Sequence, residues 1–249
     1  MKNTDIFNYY GFGFDYALLK AVGLKGRLNS KGRELLGLFF EGVEELEIPV
    51  TSKVSEELWE LFDTIPENDE VMAEDLVKKI EAEIAKIDPA LDAELRLKEA
   101  FILTEKRFPL KSLTSEPKKL LGDNVFESLS DTSRKDFSFA CIQVALNQPT
   151  ASAFHLMRAL EAEVKKLYFE FKKTNRMDKP MWGPMIRELR NKRSPKPSEK
   201  SLDSLDGIRV HFRNPTQHPD AFYSIDEAQD LLNQTITAIN MIHREILSK

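Results

Sequence analysis

TASAFHLMRALEAEVKKLYFEFKK, residues 150–173, decides the fold class. Its apolar positions Ala153, Met157, Leu160, Val164, Leu167 and Phe171 recur at alternating spacings of four and three. That is the period of one helix face, and a helix over the whole stretch is expected. Pro149 separates it from the segment before.

The same reading extends outward. Upstream, Phe137, Cys141, Val144 and Ala145 make an apolar face, and Ser133 with Asp136 three later resembles a helix start. Downstream, Trp182-Gly183-Pro184 opens a short helix, with Pro184 suited to its first turn. SPKPSEK, residues 194–200, reads as a loop, after which Leu202, Leu205, Ile208 and Phe212 face one way. Ser224 and Glu227 form a capping box ahead of Ala228, Leu231, Leu232, Ile236, Ile239 and Ile242. The expected fold is all-α, with residues 133–249 forming an antiparallel bundle of four main helices plus a short one.

Residues 1–108 also read as helical. Leu58, Leu61 and Phe62, then Met72, Leu76, Ile80, Ile84 and Ile87, keep helical spacing. Pro49, Pro66 and Pro89 punctuate these helices, residues 90–108 read as another, and residues 47–50 are the one candidate extended segment. Residues 109–132, rich in Ser, Pro and Lys, read as a linker with a short helix around Val125. Gly11 and Gly13 do not form a phosphate loop, because no third glycine, lysine or preceding strand accompanies them.

Composition narrows the function classes. With 41% hydrophobic and 31% charged residues, the 249-residue chain matches a globular protein able to bury a sizeable core. No run approaches the roughly 18 apolar residues of a membrane span, and MKNTDIFNYYGFGF lacks the pattern of a secretory signal. The lone Cys141 cannot form an internal disulfide and suits a reducing cytoplasm, where a buried small hydrophobe is the expected role. Four scattered histidines and one cysteine are too few for a convincing metal cluster, so neither metal nor cofactor is expected.

Charge is uneven. Residues 158–200 carry 13 Lys/Arg against 6 Asp/Glu in a chain whose net charge is −5. The belt of Lys165, Lys166, Lys172, Lys173, Arg187, Arg190, Lys192 and Arg193 is either a path for RNA or a solvated helix face.

FRNPTQHPDAFYS, residues 212–224, places Arg213 and His218 together. Pro215 disfavours helical backbone at Asn214, so a helix end near Arg213 and a His218 in the connection are expected. An arginine there complements the helix dipole, and turn histidines are common. The pair also suits phosphate chemistry. Arg holds two phosphate oxygens at once, and His exchanges a proton near neutral pH. Together they can promote attack by a ribose 2′-hydroxyl on its own phosphate.

Arg213-Asn214-x-x-x-His218, between two helices at one end of a bundle, resembles the R-x(4–6)-H motif of the HEPN superfamily. That motif often has a polar residue directly after the arginine. PTASAFHLMRALEAEVKKLY resembles the long helix of bacterial members, whose A-x-x-H-x-x-R-x-x-E texture is met by Ala151, His155, Arg158 and Glu161, off by one at its first position. MWGPMIREL and YSIDEAQDLL are similar in flavour, and the resemblance covers residues 133–249. It implies a metal-independent endoribonuclease with Arg213 and His218 as the catalytic pair and Asn214 in support. It further implies a composite cleft in a homodimer or with a HEPN partner, and a role as a toxin or in antiviral defence.

One branch pairs with an antitoxin that modifies a tyrosine two residues after the histidine. Here that position is Asp220, and the nearest tyrosine is Tyr223. RNA contacts are expected from Lys165, Lys172, Arg187, Arg190 and His211. His155, Arg158 and Glu161 read as a supporting network or a surface polar group, His243 as a surface residue and Trp182 as a core plug. The competing function is a non-catalytic helical adaptor that binds RNA, a nucleotide or a protein partner.

Overall fold

The computed structural model describes residues 5–172 and 180–249. Among them the chain is all-helical; extended pairing is limited to one isolated bridge, Leu28 to Val71. Two compact units are present, Met1–Phe101 and Ile102–Lys249.

The first unit holds α1 (Ile6–Val22), α2 (Asn29–Glu45), α3 (Pro49–Val54), α4 (Glu56–Thr64) and α5 (Glu74–Arg96). Its core gathers Phe12, Tyr16, Leu36, Phe39, Leu58, Ile80, Ile84 and Ile87. Pro89 does not end a helix but lies inside α5. Pro costs about 3 kcal/mol in a helix interior. Burial of Ile80, Ile84, Ile87 and Leu91 on one continuous face offsets it, at about 1.5–3 kcal/mol per fully buried side chain. Beyond Arg96 that face stops: Leu97 and Phe101 are exposed, and residues 98–108 are irregular rather than helical as expected. Residues 47–50 are not extended either. Glu47 is left-handed at φ 51°, and Pro49 sits in the first turn of α3.

In α3 the first amides point at a buried carboxylate from α5. The N–H groups of Val50 and Thr51 donate to Glu94 Oε1 and Oε2 at 3.0 and 2.7 Å, and the Thr51 hydroxyl donates at 2.8 Å. Burial alone would raise the Glu94 pKa, but these donors outweigh it and hold the carboxyl below its ordinary value.

The second unit continues with α6 (Leu110–Thr114), a 3-10 turn at Pro117–Leu120, α7 (Val125–Ser128), α8 (Asp131–Ala145), α9 (Pro149–Phe171), α10 (Trp182–Arg190) and α11 (Glu199–Ile208). A π turn at Arg209–Arg213, α12 (Asn214–Thr216) and α13 (Ile225–Leu247) complete it. Helix α9 is its centre, packing against α8, α13 and α10. All six apolar positions read from residues 150–173 are buried. Residues 109–132, read as a linker, are folded into this unit: Leu113, Leu121, Val125 and Leu129 enter its core. They are tied to α13 by the Gly122 amide, which donates to Asn240 Oδ1 at 2.9 Å.

Helix α8 starts one turn earlier than expected. Ser130 is its N-cap, accepting the Ser133 amide, while buried Glu163 of α9 accepts the Ser130 amide at 3.2 Å. Glu245 of α13 does the same for α11, accepting from the amide and hydroxyl of Ser198 and the hydroxyl of Ser201. The capping box of Ser224 and Glu227 is present.

Candidate functional site

The segment read as a helix end is a continuing helix with an altered register. Asn214 is helical, at φ −65° and ψ −50°, and its amide donates to the Arg209 carbonyl five residues back. Proline has no N–H to give to the ladder and its ring crowds the preceding turn. Widening that turn to π geometry lets the helix run through Pro215 to Thr216, which corrects the expected stop at Arg213.

The turn that follows is pinned at both ends. Buried Thr216 donates to the Phe212 carbonyl at 2.7 Å and bonds the Tyr223 hydroxyl at 2.6 Å. The Tyr223 amide donates to Thr150 Oγ1 at 3.2 Å, anchoring the turn to the first turn of α9. Tyr223 is therefore a structural pin. The His218 amide donates to Pro215 at 2.8 Å, and its ring is exposed with no hydrogen-bond partner among the described residues.

Two grooves meet here. One, of about 470 Å³, is lined by Trp182, Arg187, Asp206, Arg209, Arg213 and Asn214. The other is lined by Val210, Asn214, Pro215, His218, Asp220 and Ala221. Asn214 is common to both, so Arg213 and His218 flank it from neighbouring grooves rather than lining one.

Arg213 reaches back to the long helix, where its guanidinium lies 3.3 Å from Glu161 Oε2. Lys165 stands 3.7 Å from the same carboxylate, and the two line a third depression with Arg158, Ser130 and Thr132. Toward the start of α9, His155 Nδ1 is 2.8 Å from the buried Asp136 of α8, and Arg158 Nε is 3.2 Å from its other oxygen. His155, Arg158 and Glu161 thus form a polar row with partners on two other elements.

The basic belt divides. Lys172 is paired with Glu188 at 3.2 Å and Arg190 with Asp203 at 2.7 Å, so neither is a free cation. Lys166 donates to the Ser128 carbonyl, and Lys192 to Pro195 at 2.7 Å. Arg187 lines the first groove and has no ion-pair partner among the described residues. Lys173 lies outside the described residues. His211 is exposed on the π turn and lines neither groove. His243, expected at the surface, is partly buried and bonds Ser128 Oγ at 3.0 Å. Trp182 is a core residue, 1% exposed.

Sequence reasoning missed Arg209 and Asp206, which form an ion pair at 2.8 Å in the first groove. The available signal was the spacing of four between Arg209 and Arg213, which places both on one helix face. Burial raises the Cys141 thiol to about 12, so it is neutral at physiological pH and unsuited to nucleophilic attack. Among the described residues, no group of three or more His, Cys, Asp or Glu is placed to hold a metal ion, and no helix is long and apolar enough to cross a membrane. Set against known proteins, the chain matches no family model, no curated protein and no solved structure.

Proposed function

We propose that the chain is a metal-independent endoribonuclease of HEPN type. The observation that supports this reading best is Asn214, which lines both grooves between Arg213 and His218. An RNA strand lying across Asn214 would present one phosphate to both side chains. His218, exposed and without a competing partner among the described residues, takes the proton from the 2′-hydroxyl or supplies one to the departing 5′-oxygen. Arg213 neutralises the charge that develops on the phosphorane oxygens. The 2′-oxygen bonds to phosphorus, the bond to the 5′-oxygen breaks, and the products are a 2′,3′-cyclic phosphate and a 5′-hydroxyl. A second copy of the chain supplies the facing motif in a composite homodimer cleft. Cellular RNA cleavage of this kind fits a toxin or antiviral effector held in check by a partner protein.

The test is cleavage of a structured RNA and a tRNA pool in EDTA, comparing the parent chain with His218→Ala and Arg213→Ala. Cyclic phosphate ends that vanish in both variants support the reading. Equal cleavage by parent and variants sinks it.

The second reading, a helical adaptor, draws on one surface. Along α1, Ile6, Phe7, Tyr10 and Phe14 are all more than half exposed. Aromatic side chains uncovered in this way are suited to a partner protein. Growth arrest on expression that depends on the intact Arg213 and His218 pair favours the ribonuclease; arrest-free expression with partner capture through α1 favours the adaptor.

A further inference from the structure

Helix α1 is apolar on every side. Asp15 and Lys20 are the charged residues in its 17-residue span. Phe12, Tyr16 and Leu19 turn into the core of the first unit, where Phe12 and Tyr16 pack on Phe39 of α2. The opposite face is bare: Phe7 is 69%, Tyr10 66% and Phe14 58% exposed. A helix that is hydrophobic all round is normally buried, and an uncovered apolar face of this kind marks an interaction surface.

The order of residues on that face indicates what covers it. Ile6, Tyr10, Gly13, Phe14, Ala17 and Ala21 are all exposed, and at helical period they fall within an arc of about 100°. Their successive spacings, four, three, one, three and four, read the same in both directions about a midpoint between Gly13 and Phe14. Reversal exchanges large for small: Ile6 trades places with Ala21, Tyr10 with Ala17, and Phe14 with Gly13. A second α1 laid antiparallel across a twofold axis at that midpoint sets each bulky side chain against a small one. The hollow at Gly13 is open, since a β-carbon there would meet nothing within 4 Å. A twofold contact also presents a surface to itself, and this stripe carries no charge to repel its own copy.

The area is sufficient. Aromatic side chains bury about 150–250 Å² each, so the exposed parts of Phe7, Tyr10 and Phe14 offer about 300–500 Å² per copy. With Ile6 and the small residues added, two copies reach the roughly 1,000 Å² that a specific interface needs. A lipid surface is a poorer match. Helices that lie on membranes are rich in Lys and Arg on their polar face, whereas the one basic side chain of α1, Lys20, is paired with Asp88.

We propose that α1 is a homodimerisation surface, on which a second copy of the chain pairs antiparallel, large residues against small. It lies in the first unit and is independent of the ribonuclease reading.

The experiment is sedimentation equilibrium of the full chain across the micromolar range, at low and high salt. The parent associates in pairs, and salt does not weaken the association because the stripe is uncharged. Tyr10→Ala, Phe14→Glu and Ala17→Tyr each raise Kd about tenfold or more. Tyr10→Ala/Ala17→Tyr, which exchanges the large and small positions, recovers most of that loss. Unspecific stickiness gives the opposite result for Ala17→Tyr, tighter association with the added apolar area. All three side chains are exposed, so the variants fold, and thermal unfolding at low concentration verifies this.

A monomeric parent overturns the proposal, whether α1 is then found on lipid vesicles, on a different protein or bare. A dimer unchanged in the three single variants belongs to another surface and overturns it too, as does an exchange variant that recovers nothing. Association is the readout, so a chain that pairs through α1 without cutting RNA leaves this proposal standing and removes only the ribonuclease reading.

Discussion

Arg213 and Glu161 meet at 3.3 Å across 52 residues of chain, joining the π turn to the middle of the long helix. Both side chains are about a quarter exposed, so the pair keeps some strength against solvent screening while the guanidinium still reaches the groove. Glu161 orients Arg213; it is a positioning residue under the ribonuclease reading. Glu161→Gln is expected to lower single-turnover cleavage about tenfold, equivalent to about 1.4 kcal/mol, while stability changes by about 1 kcal/mol or less. Unchanged kcat with lowered stability would make the pair purely structural.

Under the proposed ribonuclease reading, Arg213 and His218 carry the larger effects. His218→Ala is expected to slow cleavage by roughly 10²–10⁴-fold without a loss of stability, because its ring is exposed and has no hydrogen-bond partner among the described residues. Arg213→Lys is not a conservative change, since an ammonium cannot hold two phosphate oxygens in one plane. It should remain well below the parent rate, and full rescue by lysine would show that charge alone suffices.

Glu94 should make the first unit acid-sensitive. Its folded pKa is depressed, so the unfolded state binds the proton more readily as pH falls. The stabilisation is complete above the unfolded carboxyl pKa, near 4.5, and is lost as pH drops through the lower folded value. Urea melts from pH 6 downward (about 4 to 3 at the low end) should show this loss in the parent and a flatter profile in Glu94→Gln. Glu94→Ala leaves two amides and a hydroxyl unpaired at the start of α3 and should cost about 2–3 kcal/mol at neutral pH.

Two glycines of α2 should respond in opposite directions to alanine. A β-carbon at Gly42 would lie 2.3 Å from the Phe12 ring, inside the core contact between α1 and α2. Gly42→Ala is expected to destabilise by about 1–3 kcal/mol through overpacking. At Gly37 nothing lies within 4 Å, and helix propensity favours alanine, so Gly37→Ala should stabilise by about 0.5–1 kcal/mol. Equal shifts in thermal unfolding would contradict the packing of α1 on α2.

The fold class was legible because helix formation leaves a local mark. The alternation of four and three along α9, and the Ser224 and Glu227 box at α13, each join residues within a turn or two. Punctuation was less legible. Pro89 and Pro215 carry the same local signal for stopping a helix, yet both lie in helices. In α5 a continuous buried face offsets the lost hydrogen bond; at Pro215 the π register accommodates it. The Ser, Pro and Lys composition of residues 109–132 hid the four apolar side chains that seat this segment in the core.

Amino-acid order alone specified the helical period and the main helix faces. Tertiary packing decided the rest: Glu94 on Thr51 across 43 residues, Glu163 on Ser130 across 33, and Arg213 on Glu161 across 52. Periodicity encodes which face of a helix is buried. It carries no record of which distant backbone donor a buried carboxylate will meet, because that pairing exists only once the helices have packed.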